Sequence, residues 1–338
     1  MAYTLKLNIF RFKLYKIKDS YQRPMRGKVA TFYETEVDAT KFCDFIKAVE
    51  PSAQKEDFMK VLFAKMIAHF DSKFRKGAES NKAVAVTNQE HVGYGSKEYT
   101  VWGMFKGGET DMERKVYNQN NATKNVKLIK KSDVPAVNYF YKFWMPYDGE
   151  DGILMIQSYT DMGCVASFKD QIEELFVSLQ YRPIWNKMIP KGFLDRYLTS
   201  SFIHKIRIEY KSVKAEGEGV FASMRQVRKN TVLSRLSIAL RDLLVVKDYN
   251  EELCKQLENI VEFKPKEDKV VVFYKDENGK EAHTTMGNLE EAMPTIILPD
   301  YLKDEETDMV IPEEMDKYTD GMLKDIKEQI GYAPGKLS

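Results

Sequence analysis

Residues 137–176 read VNYFYKFWMPYDGEDGILMIQSYTDMGCVASFKDQIEELF, and they decide how the fold is interpreted. The aromatic run at 137–146 predicts a strand. The almost wholly apolar run at 153–159 predicts a second strand, central in its sheet and buried on both faces. Ser167 stands where an N-cap is expected and predicts a helix over 168–180. The predicted order is therefore two strands and then a helix.

Upstream, residues 3–18 alternate apolar and basic side chains, which predicts a long strand with one apolar and one basic face. The alternation is imperfect around Phe10–Phe12, where a bulge would explain it. Residues 28–36 predict the partner strand. The remaining predictions in this part are helices at 38–49 and 54–74, strands at 83–88, 98–105 and 124–131, and a polar loop at 106–125.

Downstream, the pattern predicts an α+β protein with mixed or antiparallel sheets flanked by helices and with two lobes. We place the domains at 1–132 and 133–338. The predicted elements are a helix at 190–199, a strand at 201–214, a hinge at 215–220, helices at 222–247 and 250–262, a hairpin at 269–287 that turns at Asn278–Gly279, and a terminal helix at 312–331 that ends at Gly331.

The charge of the chain is segregated although its formal net charge is only +1. From residue 250 onward there are 22 acidic and 11 basic residues, a net charge of −11, so the preceding part carries +12. The basic excess is concentrated in residues 1–28 and 202–242. Such a division indicates either a surface that binds polyanions or two parts that attract each other, within one chain or between copies.

Other classes of protein find little support in the sequence. The three cysteines are far apart and form no CxxC pair, and the four histidines form no metal-binding motif, so we expect no disulfide, metal or cofactor. The apolar stretches are too short for a signal peptide or a membrane span, so we expect a cytoplasmic protein without membrane insertion. The GxGS at 93–96 is interpreted as a loop and not as a phosphate cradle.

A metal-dependent nuclease is one enzymatic alternative. Glu209 and Lys211 form an ExK on a predicted strand, and Asp195 comes fourteen residues earlier. In such sites the carboxylates hold Mg²⁺ and the lysine assists the attacking water. Asp195 falls inside a predicted helix, however, whereas that chemistry needs it at the end of a strand. The charged face of an exposed strand explains the same residues.

The basic segment at 202–242 supports nucleic-acid binding more directly. Phosphates are neutralised by lysines and arginines that rigid elements display together. The pattern contains no helix that would read bases, so contact with the DNA backbone is expected. A solvated face that pairs with the acidic end is the alternative. The candidate DNA-binding residues are Lys205, Arg207, Lys211, Arg225, Arg228, Lys229 and Arg235, with Arg241 beyond them.

The order of elements over about 134–331 resembles the phage exclusion protein RexA and KwaB, the Kiwa defence protein. The likeness is carried by GILMIQSYTDMGCVASFKDQIEELF, then FIHKIRIEYKSV, the hairpin and the terminal DKYTDGMLKDIKEQIG. It implies a cytoplasmic homo-oligomer that binds double-stranded DNA without sequence preference in anti-phage defence, with no catalytic triad and with room for a partner defence protein. The chain departs from these families in its longer amino-terminal part.

Three hypotheses follow from the sequence. The first is a non-catalytic DNA-binding defence protein. The second is the Mg²⁺-dependent nuclease. The third is an interaction protein in which the acidic end docks on the basic part of a second copy. In a variant of the first hypothesis, the acidic end competes with nucleic acid for the basic surface.

Overall fold

The computed structural model describes residues 3–25, 28–78, 80–87, 91–95, 97–118, 120–160, 162–200, 202–209, 230–232, 269–275, 281–285 and 295–332, some strand residues by their backbone alone. The α+β prediction is confirmed, with a large antiparallel sheet and helices. The chain forms two compact units: residues 1–188 with 295–338, and residues 189–294. In the described residues, no helix is long and apolar enough to cross a bilayer.

The first unit is built on a ten-stranded sheet and a separate two-stranded ribbon. The strands of this unit are β1 (Leu5–Met25), β2 (Lys28–Thr35), β3 (Arg75–Lys76), β4 (Lys82–Ala85), β5 (Val92–Gly95), β6 (Thr100–Glu109), β7 (Arg114–Asn118), β8 (Asn121–Ile129), β9 (Ala136–Trp144), β10 (Gly152–Tyr159), β11 (Tyr181–Met188) and β16 (Ile296–Ile297).

The large sheet has the order β11-β1-β10-β9-β6-β4-β3, with β2 and β16 also paired to β1, and β5 paired to β6. Its strand pairings in the described residues are all antiparallel. The boundary predicted after residue 132 falls inside this sheet, because β6 pairs with β9 along Thr100–Gly108. The boundaries of the two compact units therefore differ from the predicted domain boundary between residues 132 and 133.

The helices of the described part confirm the predicted positions within a few residues. They are α1 (Phe42–Val49), α2 (Phe58–Phe70), α3 (Val165–Ser178) and α4 (Lys191–Ser200), followed by α5 (Pro312–Gln329). The predicted start of α3 is wrong: the helix begins at residue 165, its N-cap is Cys164, and Ser167 is buried in its first turn. The predicted stop at Gly331 is confirmed, with φ +70° at that residue.

The sheet is covered on both faces, as the apolar run of β10 predicted. All eight residues of β10 are buried. On one face, Phe12 packs against Phe42 of α1 and Phe176 of α3. On the other face, α5 lies against Lys142 of β9. The sheet is therefore the middle of three layers.

The predicted bulge at Phe10–Phe12 is wrong, because β1 keeps a continuous register with β10 from Leu5 to Phe12. The burial pattern changes phase instead: Leu5, Leu7 and Ile9 are buried on one face, and Phe12 and Leu14 on the other. Adjacent side chains of a strand point to opposite faces, so a strand covered on both sides can bury either set. The irregularity in β1 lies farther along, between Ile17 and Asp19.

The second unit contains α4 and a four-stranded sheet in the order β13-β12-β14-β15. The predicted hairpin is confirmed by the antiparallel pairing of β14 and β15, although its turn at 276–280 lies outside the described residues. The predicted hinge at 215–220 and the helices at 222–247 and 250–262 also lie outside them. The strands are β12 (Phe202–Glu209), β13 (Asn230–Val232), β14 (Lys269–Lys275) and β15 (Glu281–Thr285).

One buried hydroxyl of the core allows a direct test of this packing. Tyr141 is fully buried, and its hydroxyl has no hydrogen-bond partner among the described residues. Tyr159, in contrast, accepts a bond from the Val310 amide and donates one to the Asn138 carbonyl. A buried hydroxyl without a partner has lost its water without compensation.

We therefore expect Tyr141→Phe to keep the free energy of unfolding or to raise it by up to about 1 kcal/mol. The matched change Tyr159→Phe should lower it by about 1–2 kcal/mol, because it leaves the buried Val310 amide without an acceptor. Urea unfolding of both variants measures the difference. Equal losses in the two variants would contradict the packing described for Tyr141.

Candidate nucleic-acid interface

The structure describes only two of the seven DNA-binding residues predicted from the sequence. Lys205 and Arg207 occupy alternate positions of β12, in register with Phe273 and Val271 of β14. The other predicted residues lie outside the described part. They are Lys211, Arg225, Arg228, Lys229 and Arg235, together with Arg241.

The proposed nuclease residues are spread over different elements. Asp195 lies within helix α4, and Glu209 is the last residue of β12. Lys211 lies outside the described residues. Within the ranges that the structure describes, no group of three or more His, Cys, Asp or Glu residues could hold a metal ion.

The basic face predicted for β1 is partly neutralised by the turn before β10. The Arg11 guanidinium lies 2.8 Å from Asp151 Oδ1, and this hydrogen bond raises the pKa of Arg11. Lys13 Nζ lies 3.5 Å from Glu150 Oε2. These cations are therefore already paired within the chain and are less available to a polyanion.

A stronger basic surface spans the end of the predicted polar loop at 106–125 and the predicted strand at 124–131. Strands β7 and β8 form a two-stranded antiparallel ribbon outside the large sheet. We call residues 114–131 the basic ribbon; this stretch contains six Lys or Arg residues and no Asp or Glu. The predicted polar loop at 106–125 is therefore wrong, since most of it belongs to β6, β7 and β8.

Four lysines of the basic ribbon are exposed: Lys115, Lys127, Lys130 and Lys131. None of the four makes an ion pair with another described residue, whereas Arg114 at the base of the ribbon is paired with Glu109. Cations without an ion pair keep most of their attraction for an external phosphate, although Asp111 interacts electrostatically with Lys131. The ribbon therefore displays the residue type that phosphate binding requires, with Lys115 and Lys127 on the paired strands and Lys130 and Lys131 just after β8.

Apolar side chains are exposed on the same ribbon. Val126 is 69% exposed and Tyr117 is 45% exposed, and Val116 and Leu128 are also open to solvent. An isolated two-stranded hairpin is marginally stable in water, and apolar side chains on both of its strands gain from contact with another molecule. The ribbon thus offers apolar and cationic contacts together.

The base of the ribbon is anchored to the large sheet. Thr110 donates its backbone N–H and its hydroxyl to the carbonyl of Asn81, at 2.8 and 3.0 Å. Asp111 lies 2.5 Å from Lys76 Nζ, and this hydrogen bond lowers the pKa of the Asp111 carboxyl. The ribbon therefore projects from a fixed point beside β4.

A second exposed ribbon is formed by the distal part of β1 and by β2, which pair from Ile17 to Met25. Tyr21 and Phe32 stack on it with ring centroids 5.6 Å apart, and the Arg23 guanidinium lies 4.9 Å from the Tyr21 centroid. Both rings are exposed. Aromatic rings with a nearby arginine can stack on unpaired bases. Residues 17–35 contain four basic and two acidic residues, so this ribbon has a smaller excess of positive charge than the basic ribbon.

The acidic carboxy-terminal part contacts the basic part within the same chain. Lys142 Nζ lies 2.6 Å from Asp316 Oδ1 and 2.5 Å from Asp320 Oδ1 of α5. Burial raises the pKa of Asp316, and the bond and charge from Lys142 oppose this shift. At least part of the charge segregation therefore reflects attraction within one chain. Among the described residues, α5 makes no ion pair with the lysines of the basic ribbon.

The basic ribbon could have been found from one sequence signal, the run of eighteen residues that contains six cations and no acid. The periodicity did not reveal it because the ribbon residues whose burial is described are exposed or half-buried. Comparison with protein-family models, with curated proteins and with solved structures finds no match for this chain. The resemblance to RexA and KwaB therefore stays a prediction.

Proposed function

We propose that this protein is a cytoplasmic, non-catalytic protein that binds double-stranded DNA without sequence preference, and that the basic ribbon is its principal contact. The observation that supports this is the set of four exposed lysines that make no ion pair with another described residue. The major groove of B-DNA, about 12 Å wide, admits a two-stranded ribbon of this kind. The resemblance to RexA and KwaB adds the proposed setting of anti-phage defence.

The chemistry of the ribbon favours contact with the DNA backbone over base reading. Lysine binds phosphate as a point charge and carries little sequence information. The tip of the ribbon carries asparagine and glutamine, whose side-chain amides are of the type that can hydrogen-bond the edge of adenine. However, the side-chain oxygen of Asn118 accepts a bond from the Asn120 amide at 2.8 Å, so it is occupied in forming the turn.

We expect wild-type protein to bind two labelled duplexes of equal length and unrelated sequence with similar affinity. The affinity should fall steeply with salt, with a log–log slope of about −3 to −4 if the four lysines each neutralise one phosphate. Fluorescence anisotropy at several salt concentrations measures both quantities. Absence of binding at low salt would contradict the proposal. A strong preference for one duplex would show that the binding depends on sequence.

Addition of Mg²⁺ to the same titration distinguishes the nuclease alternative. Non-catalytic binding predicts that the duplex stays intact. Cleavage that is lost in Glu209→Ala would support the nuclease instead. Analytical ultracentrifugation of the free protein and of the DNA complex tests the proposed homo-oligomer. Deletion of residues 312–338 is a poor test of that oligomer, because it would uncover Lys142 and one face of the sheet.

A further inference from the structure

A cavity of about 350 Å³ lies at the base of the basic ribbon, where β6 leads into β7. Its apolar wall is formed by Val137, Tyr139 and Met162, and Lys82 and Arg114 contribute its cationic groups. Sites for small molecules have volumes of about 300–1,000 Å³ and are mostly apolar, with a few polar groups that fix the ligand. This cavity has that size and that composition.

One wall of the cavity is held in place by hydrogen bonds from its neighbours. The Tyr139 hydroxyl donates to the Met162 carbonyl at 2.5 Å, and Lys82 Nζ donates to the Gly163 carbonyl at 2.8 Å. Gly107 lets the segment come close, because a Cβ there would lie 2.8 Å from Cys164 Sγ. The wall therefore needs little reorganisation to receive a ligand, which lowers the cost of binding.

The polar groups of the cavity favour an anion. Glu109 also lines it, but this carboxylate is bound by the Arg114 guanidinium. Lys82 makes no ion pair with any described residue and uses one of its three hydrogens on Gly163. An anionic group could therefore accept bonds from Lys82 and from the remaining N–H groups of Arg114.

We propose that this cavity binds a small organic anion with an apolar body. Its charged group would lie between Lys82 and Arg114, and its body would pack against Val137, Tyr139 and Met162. Binding is non-covalent, since Cys164 is a buried thiol whose pKa is raised by that burial. The site does not depend on DNA binding, and either proposal can fail without the other.

The test uses the full chain and the aromatic sulfonate 8-anilinonaphthalene-1-sulfonate as the probe. We expect saturable fluorescence enhancement. Lys82→Met should weaken the binding about tenfold through loss of a charge-assisted hydrogen bond, and Lys82→Arg should restore most of it. Val137→Phe, which fills the cavity, should weaken it by a similar factor. Lys317→Met, the matched loss of an exposed lysine on α5, should leave it unchanged.

Competition identifies the anionic group. Displacement of the probe by benzoate indicates a carboxylate ligand, and displacement by phenyl phosphate indicates a phosphate ester. If neither compound displaces the probe, or if Lys82→Met binds it as tightly as Lys317→Met does, the proposed site is wrong. Circular dichroism verifies that Val137→Phe is folded. If it is unfolded, Met162→Phe is used to fill the cavity instead, and the Lys82 variants test the proposed site independently of either.

Discussion

Replacing Lys142 with methionine is expected to lower the free energy of unfolding by about 1.5–3 kcal/mol, because the two carboxylates left behind are 26% and 55% exposed and water partly compensates them. The side chain of Lys142 is only 2% exposed, and its ammonium group bonds both Asp316 and Asp320 of α5. Methionine fills a similar volume, so the loss arises mainly from carboxylates that no longer have a cation between them. Urea unfolding followed by circular dichroism measures the change.

Two comparisons identify the cause. Lys317 pairs with Glu314 on the exposed side of the same helix, so Lys317→Met should change stability by less than about 0.5 kcal/mol. The triple variant Lys142→Met, Asp316→Asn and Asp320→Asn removes the uncompensated charge and should recover more than half of the loss. A Lys142→Met protein as stable as the wild type would show that α5 does not depend on this contact.

The strands that bury apolar side chains could be predicted from the sequence, because burial leaves a periodic or continuous apolar pattern. The run at 153–159 predicted a strand covered on both faces, and β10 is buried along its whole length. The edge strand β11 was missed, since its residues YRPIWNKM alternate poorly and contain Pro183. Proline is tolerated at a sheet edge, where one side of the strand needs no partner, so its presence there has a physical reason.

Local rules failed where a distant partner decides the conformation. Ser167 looked like an N-cap, but it lies in the first turn of α3 and is buried against Gly77, where a Cβ would come within 2.9 Å of Ser167 Oγ. Lys142 lies in the aromatic strand predicted at 137–146, and no partner was predicted for it. Its partner Asp316 is 174 residues away in the sequence, and no local pattern could predict that contact.

The predicted strand at 124–131 corresponds to β8, but its partner β7 was missed for the opposite reason, because the ribbon has too few contacts within the chain to shape its sequence. Hydrophobic periodicity reports burial, and the residues of β7 and β8 whose exposure is described are mostly exposed. Charge was the better signal there. The predicted cations at 202–242 followed from the same signal, but the charge count alone could not say which basic segment forms a paired, exposed element.

Replacing Lys115, Lys127, Lys130 and Lys131 together with glutamine is expected to weaken binding to duplex DNA by about 10²- to 10³-fold at moderate salt. The log–log salt slope should become less steep by about 3–4, since each lysine that contacts a phosphate contributes about 0.9. Glutamine keeps the length and polarity of the side chain, and no described ion pair is lost. Stability should therefore stay close to that of the wild type, which thermal unfolding verifies.

The control variant removes the same net charge from another part of the surface. It replaces four lysines that already have acidic partners: Lys60, Lys65, Lys73 and Lys317. If the phosphates contact the ribbon, this control should lose less than about tenfold in affinity, because only the long-range attraction changes. Equal losses in the two variants would mean that net charge governs the binding. An unchanged affinity in the ribbon variant, with a large loss in a Lys205→Gln and Arg207→Gln variant, would move the DNA interface to the second unit.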